Sequence, residues 1–159
     1  MSRTPITKRG YEKLKTELQH LKTVETPENI REIEEARAHG DISENAEYTA
    51  AKERQSFIQG KIQEIENNLA NSTIVDLRNL NDDKIVFGTT VTIEDIRTNE
   101  VTRYQLVGPF ESDINEKKIS VTSPIGRALI GKEEGDTVKV KTPGGVREFE
   151  IIDVSIVVD

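Results

Sequence analysis

The chain has 159 residues, of which 34% are apolar, 4% aromatic and 32% charged; this suits one domain or two small ones and leaves too little apolar matter for a single thick core. With no cysteine and two histidines, disulfide scaffolds, thiolate zinc sites and thiol nucleophiles are excluded, and any metal is expected on oxygen ligands. A net charge of -7 argues against duplex DNA as the main partner, because non-specific DNA affinity comes from neutralised phosphates, and favours a protein partner.

The charge is unevenly spread. Residues 1–22 carry six basic groups (Arg3, Lys8, Arg9, Lys13, Lys15, Lys22) against Glu12 and Glu17, whereas residues 28–47 carry seven acids against Arg31 and Arg37. Met1-Ser2-Arg3-Thr4-Pro5 lacks the apolar stretch of a secretory signal, and no apolar run approaches the roughly 18 residues of a membrane span. A cytoplasmic protein with no membrane partner is expected.

From Lys8 to Ala70 the pattern is helical. Tyr11, Leu14, Leu18 and Leu21 recur every three or four residues, and after Pro27 the stripe is expected to resume in a new register at Ile30 and Ile33, with a bend at the proline. The second helix carries the stronger period: Tyr48, Ala51, Gln55, Ile58, Ile62, Ile65 and Leu69 form a heptad seam with one polar member. Such a seam wants a partner, and with a tight turn at Gly40 the simplest one is the preceding helix running antiparallel. About 28 residues at 1.5 Å each make a rod on the order of 40 Å long, which buries a narrow stripe and exposes the rest.

Past an Asn/Asp-rich connection the period changes to two. Short strands are expected around Val91 and Ile93, Tyr104–Val107, Ile119–Val121, Val138–Val140 and Phe149–Ile151, with a hairpin turn at Thr142-Pro143-Gly144-Gly145. Ser123 to Gly131 reads as one short helix, capped by Ser123, opened by Pro124 and closed by Gly131. The fold class is therefore α+β: an antiparallel coiled-coil hairpin over 1–76, a linker over 77–85, and a compact antiparallel sheet with a short helix over 86–159.

Counted backward from Tyr48, the seam of the second helix lands on Glu44 and Asp41, turning from apolar to acidic near 40–45. Buried in a helical seam these carboxylates would carry a heavy desolvation cost, so the exposed tip is their place. Two readings follow. Asp41-Ile42-Ser43-Glu44 fits a helix start, with Asp41 as N-cap and Glu44 returning a bond. Alternatively, two carboxylates one turn apart could share a hard divalent cation, although two ligands alone hold Mg2+ weakly. His39 fits a favourable charge at the end of the first helix, Tyr48 fits packing in the seam, and Arg37 and Lys52 are either solvated charges or contacts to RNA phosphate.

Residues Ala36 to Tyr48 (ARAHGDISENAEY), with Ser123 to Lys132 (SPIGRALIGK) and Thr142 to Gly145, resemble the Gre family of bacterial transcript cleavage factors, in order and over essentially the whole chain. The resemblance implies an N-terminal antiparallel coiled coil and an FKBP-like C-terminal domain. It further implies a monomer that docks on bacterial RNA polymerase, passes its rod down the secondary channel, and meets the extruded RNA 3′ end of a backtracked complex. On that basis Asp41 and Glu44 would share Mg2+ with the polymerase's own active site, the free protein holding none tightly, so that the chain is no enzyme alone. Arg37 and Lys52 would contact RNA, a small basic spot suited to the family type associated with short cleavage products, and Ser123, Pro124 and Ile125 would dock on the polymerase. Gly126 stands where many relatives have Ala, which implies a slightly looser helix. The competing classes are a non-cleaving regulator of the same channel, disfavoured by the acidic pair, and a prolyl isomerase, disfavoured by the scarcity of aromatic residues in the second half.

Overall fold

The computed structural model describes residues 3–40 and 45–158, and by its internal contacts it divides into two units: residues 12–71, and the rest of the chain on either side of them. The helical unit runs through α1 (Lys8–His20), a π turn (Leu21–Glu25), α2 (Thr26–Ala38) and α3 (Ala46–Ala70). In α3 the heptad is visible as burial: Ala51, Ile58 and Ile65 are buried, and Tyr48, Gln55, Ile62 and Leu69 between them are half-buried. The facing stripe holds Leu14, Leu21, Asn29, Ile33 and Ala36. Asn45 reaches Ala36, Ala51 meets Asn29, Arg54 meets Glu32, and Glu66 meets Lys22, so α2 and α3 run antiparallel.

The expected register after Pro27 is corrected. Ile30 is 47% exposed and the buried position is Asn29, whose side-chain amide donates to the Ala51 carbonyl at 3.0 Å. From Leu21 a plain heptad would return at position 28, one residue too soon. The π turn absorbs the extra residue: the Thr26 N–H bonds the Leu21 carbonyl five residues back, and the Thr26 hydroxyl donates to the same oxygen at 2.8 Å. Pro27, without an N–H and with a ring that crowds the carbonyl four residues before it, then sits in the first turn of α2 and leaves the helix unbroken.

The second unit contains a five-stranded sheet in the order β5-β4-β3-β7-β6, from β3 (Thr90–Asp95), β4 (Val101–Val107), β5 (Lys118–Ser120), β6 (Thr137–Thr142) and β7 (Gly145–Ser155). All the expected strands are present. The sheet is mixed rather than wholly antiparallel, because β4 and β5 pair in parallel. Ile152 is the extra residue of a bulge, since Thr92 pairs with Asp153 and Ile93 with Ile151. The hairpin turn joins β6 to β7, with Gly145 at φ 121°. One face of the sheet packs with α4 (Pro124–Leu129) around Val91, Ile93, Leu106, Leu129, Val140 and Ile151.

Two strands fall outside the sequence expectation. β1 (Thr4–Thr7) pairs in parallel with β2 (Ser72–Val75), Ile6 opposite Ile74, so both ends of the helical segment group with the sheet unit. The contact boundaries therefore fall at 11/12 and 71/72 rather than at 76/77. The segment expected as a linker is also partly core: Leu77, in a 3-10 turn over Leu77–Asn79, is buried, and Ile85 is fully buried. Among the described residues no helix is long and apolar enough to cross a membrane.

Candidate functional site

α2 ends at Ala38 and α3 begins at Ala46, and Gly40, where a tight turn is expected, has φ 139°. Asp41, Ile42, Ser43 and Glu44 lie outside the described residues, and with them the two acidic positions. Their flanks are well defined. His39 ends α2, its N–H bonding the Ala36 carbonyl, and its Nδ1 lies 3.2 Å from Glu47 Oε2. Asn45 caps α3: its Oδ1 accepts the Tyr48 N–H at 3.0 Å, while its Nδ2 donates to the Ala36 carbonyl at 2.6 Å. One side chain thus starts one helix and ties it to the end of the other. The capping role read for Asp41 belongs to Asn45, and α3 begins at Ala46, after both acids. Helix capping of α3 therefore does not account for Asp41 and Glu44.

The two basic residues flanking the connection are exposed and are not brought into one contact. The Arg37 guanidinium lies 5.9 Å from the centroid of the half-buried Tyr48 ring, which holds it against the end of α3. Lys52, one turn further along α3, donates to Gln55 Oε1 at 2.7 Å. Further along α3, Arg54 answers an acidic stripe of the π turn and α2, lying within 4 Å of Glu25 and Glu28 and bonded to Glu32. Among the described residues no group of three or more His, Cys, Asp or Glu side chains could hold a metal ion.

In the sheet unit, α4 is built as its sequence indicated. Ser123 Oγ accepts the Gly126 N–H at 3.1 Å and donates to the Ser120 carbonyl at 2.6 Å. The end of the helix is fixed by Gly131, at φ 84°, whose N–H bonds the Ile85 carbonyl at 2.8 Å while Ile85 N–H bonds Lys132. Of the three docking candidates, Ser123 spends its hydroxyl on the cap, Ile125 turns half into the core, and Pro124 is exposed. Gly126 is not merely a looser version of alanine. It is buried, and a Cβ there would collide with the Ser120 carbonyl oxygen and sit 3.0 Å from Ser123 Oγ.

Beside α4 lies an open groove of about 390 Å3 lined by Val86, Phe87, Val121, Arg127 and Ile130, with Arg127 held by its Nε on the Thr122 carbonyl at 2.8 Å. The sequence reading missed this groove. Its signal was the apolar run Ile85-Val86-Phe87, of which Ile85 alone is fully buried. Phe87 is the one aromatic residue in its lining, which is a poor basis for the aromatic-lined pocket of a prolyl isomerase.

A long antiparallel helical pair, with a small mixed sheet and one capped helix in a second unit, defines a two-part α+β protein. Residues 4–74 match the family described as "Transcription elongation factor, N-terminal", and residues 80–156 match "Transcription elongation factor, GreA/GreB, C-term". A transcription elongation factor GreA of Syntrophus aciditrophicus (strain SB) is 67% identical over 98% of this chain and 97% of its own length. Others from Methylococcus capsulatus, 58% identical over 99% of this chain and 100% of theirs, and Neisseria meningitidis serogroup A, 59% identical over 97% and 98%, agree along the whole sequence. The chain belongs to the GreA/GreB family of transcription elongation factors.

Proposed function

We propose that this elongation factor stimulates the endonucleolytic cleavage of backtracked RNA by bacterial RNA polymerase, entering through the secondary channel and releasing short 3′ fragments so that stalled complexes resume. The observation that carries this reading is the cap at Asn45. With the start of α3 already satisfied there, the connection retains two carboxylates, Asp41 and Glu44, that capping of that helix does not require.

Carboxylate oxygens are the hard donors that Mg2+ prefers, and the ion usually takes only one or two of them from protein, so these two residues would hold it jointly with ligands of the polymerase. The ion, when bound, supplies charge stabilisation and water activation for phosphodiester hydrolysis. The chain's own acids would raise occupancy and orient water at that place, and free in the cytoplasm the monomer would have no turnover and no tightly held metal. Arg37, braced on Tyr48, and Lys52 supply a small positive spot for the phosphates of the extruded RNA 3′ end. Pro124, with Ser123 and Ile125 behind it, forms the polymerase-docking edge, and the groove of Val86, Phe87 and Ile130 extends it with apolar surface.

The test is to add the protein to a halted, backtracked bacterial elongation complex with Mg2+. Release of short 3′ RNA pieces followed by resumed synthesis is expected. Unchanged transcripts, with binding to the polymerase retained, would instead support a non-cleaving regulator.

A further inference from the structure

Glu111 lies in the connection between β4 and β5, and its partly buried carboxylate is spent on a distant segment of the chain. Oε2 accepts the Thr7 N–H at 2.8 Å and the Gly108 N–H at 3.2 Å, and Oε1 accepts the Thr7 hydroxyl. The Thr7 oxygen in turn accepts the Gly10 N–H at 3.1 Å, which is the bond an N-cap makes to the third residue of a helix. Thr7 is thus both the last residue of β1 and the cap of α1, and Glu111 holds it from outside the helix.

Two glycines make the approach possible. A Cβ on Gly10 would meet Glu111 Cδ at 2.8 Å and its Cβ at 2.9 Å, and one on Gly108 would run into the carbonyl group of Pro5. Both glycines are buried. Neither has a left-handed backbone, so close approach rather than φ is what excludes a side chain there. Burial pushes the Glu111 carboxyl up from its ordinary range although the bonds from Thr7 and Gly108, and the charge of Lys118, act the other way. A desolvated charge held by a few donors leaves little margin when any one is lost.

We propose that Glu111, Thr7, Gly10 and Gly108 form a clasp that governs local opening of the N-terminal strand: closed, it caps α1 and keeps β1 seated on β2; open, it lets β1 and the first turn of α1 go while the five-stranded sheet stays folded. The opening is a sub-global event of the kind that amide exchange resolves from whole-chain unfolding.

The experiment is amide hydrogen exchange on the full chain, comparing Glu111→Ala, Glu111→Gln, Gly10→Ala and the double variant Gly10→Ala/Glu111→Ala. In Glu111→Ala the Thr7 and Gly10 amides should lose protection at least tenfold, with Val91 in β3 and Ile58 in α3 unchanged. Glu111→Gln, which keeps one acceptor oxygen, should lose less. Gly10→Ala should lower protection more when Glu111 is present than when residue 111 is alanine, because the carboxylate contacts are then gone and only the Cβ of residue 111, at 2.9 Å, stands in the way of the added methyl. Equal protection at Thr7 and Gly10 in the wild type and both Glu111 variants would overturn the clasp. The same effect of Gly10→Ala in both backgrounds would overturn it as well, and that comparison holds even if Glu111→Ala lowers global stability.

Discussion

Asn45 carries two structural duties with one side chain, an acceptor for α3 and a donor to the end of α2. Asn45→Ala should therefore cost about 1–2 kcal/mol, the loss of a cap plus one of the two donors to the Ala36 carbonyl, as a lowered midpoint in thermal unfolding. By contrast, Asp41→Asn and Glu44→Gln should leave that midpoint nearly unchanged. Acid stability is also set at single residues. Arg78 holds the Asp76 carboxyl down from 3.8 to about 2, chiefly through a side-chain hydrogen bond. The unfolded chain then binds the proton more readily, so this contribution is fully present above about pH 3.8 and is lost as pH falls through about 2. A carboxyl 13C titration of Asp76 should follow that low midpoint in the wild type and return toward the ordinary value in Arg78→Ala; an unshifted wild-type midpoint would contradict the pairing.

The elements show where local pattern decides and where it does not. The seam of α3 was legible because burial in a helical pair imposes a period, and Ala51, Ile58 and Ile65 obey it. The strands and α4 were legible for similar reasons: alternation, Pro143 with Gly144 and Gly145 in a turn, and Ser123 before Pro124 at a helix start. The cap of α3 was misplaced because Asp41, Ser43 and Asn45 are all good caps within five positions, and only the reach of Asn45 to Ala36 chooses among them. The register after Pro27 was missed because a polar residue, Asn29, takes the buried place, its amide satisfied across the pair. Gly126 carries the same lesson. Helix propensity favours alanine there by about 1 kcal/mol, but the Ser120 carbonyl occupies the space a methyl would need. Gly126→Ala should thus destabilise the sheet unit by about 1–3 kcal/mol, against the sign of propensity, in denaturant titration. A gain in stability would show that the Ser120 segment yields freely.

For the whole molecule, the division into a helical pair and a sheet unit was readable from the change of period, whereas its boundary was not. β1 and β2 stand at opposite ends of the helical segment, and nothing local in Thr4–Thr7 or Ser72–Val75 announces that they pair. The acidic pair is a different case: residue type and position suggest chemistry, and both residues lie outside the described residues. Family membership supplies the transcriptional setting, and the start of α3 has its cap at Asn45. The central claim is that these acids act inside the polymerase's catalytic chamber and not in the folding of this chain. Its most direct measurement is the rate of RNA cleavage in backtracked complexes at saturating Asp41→Asn or Glu44→Gln protein, alongside the affinity of each for polymerase. A fall of about 100-fold or more in rate, the scale on which a lost electrostatic group acts, is expected with affinity nearly unchanged. Wild-type rates from both variants at saturation would contradict it.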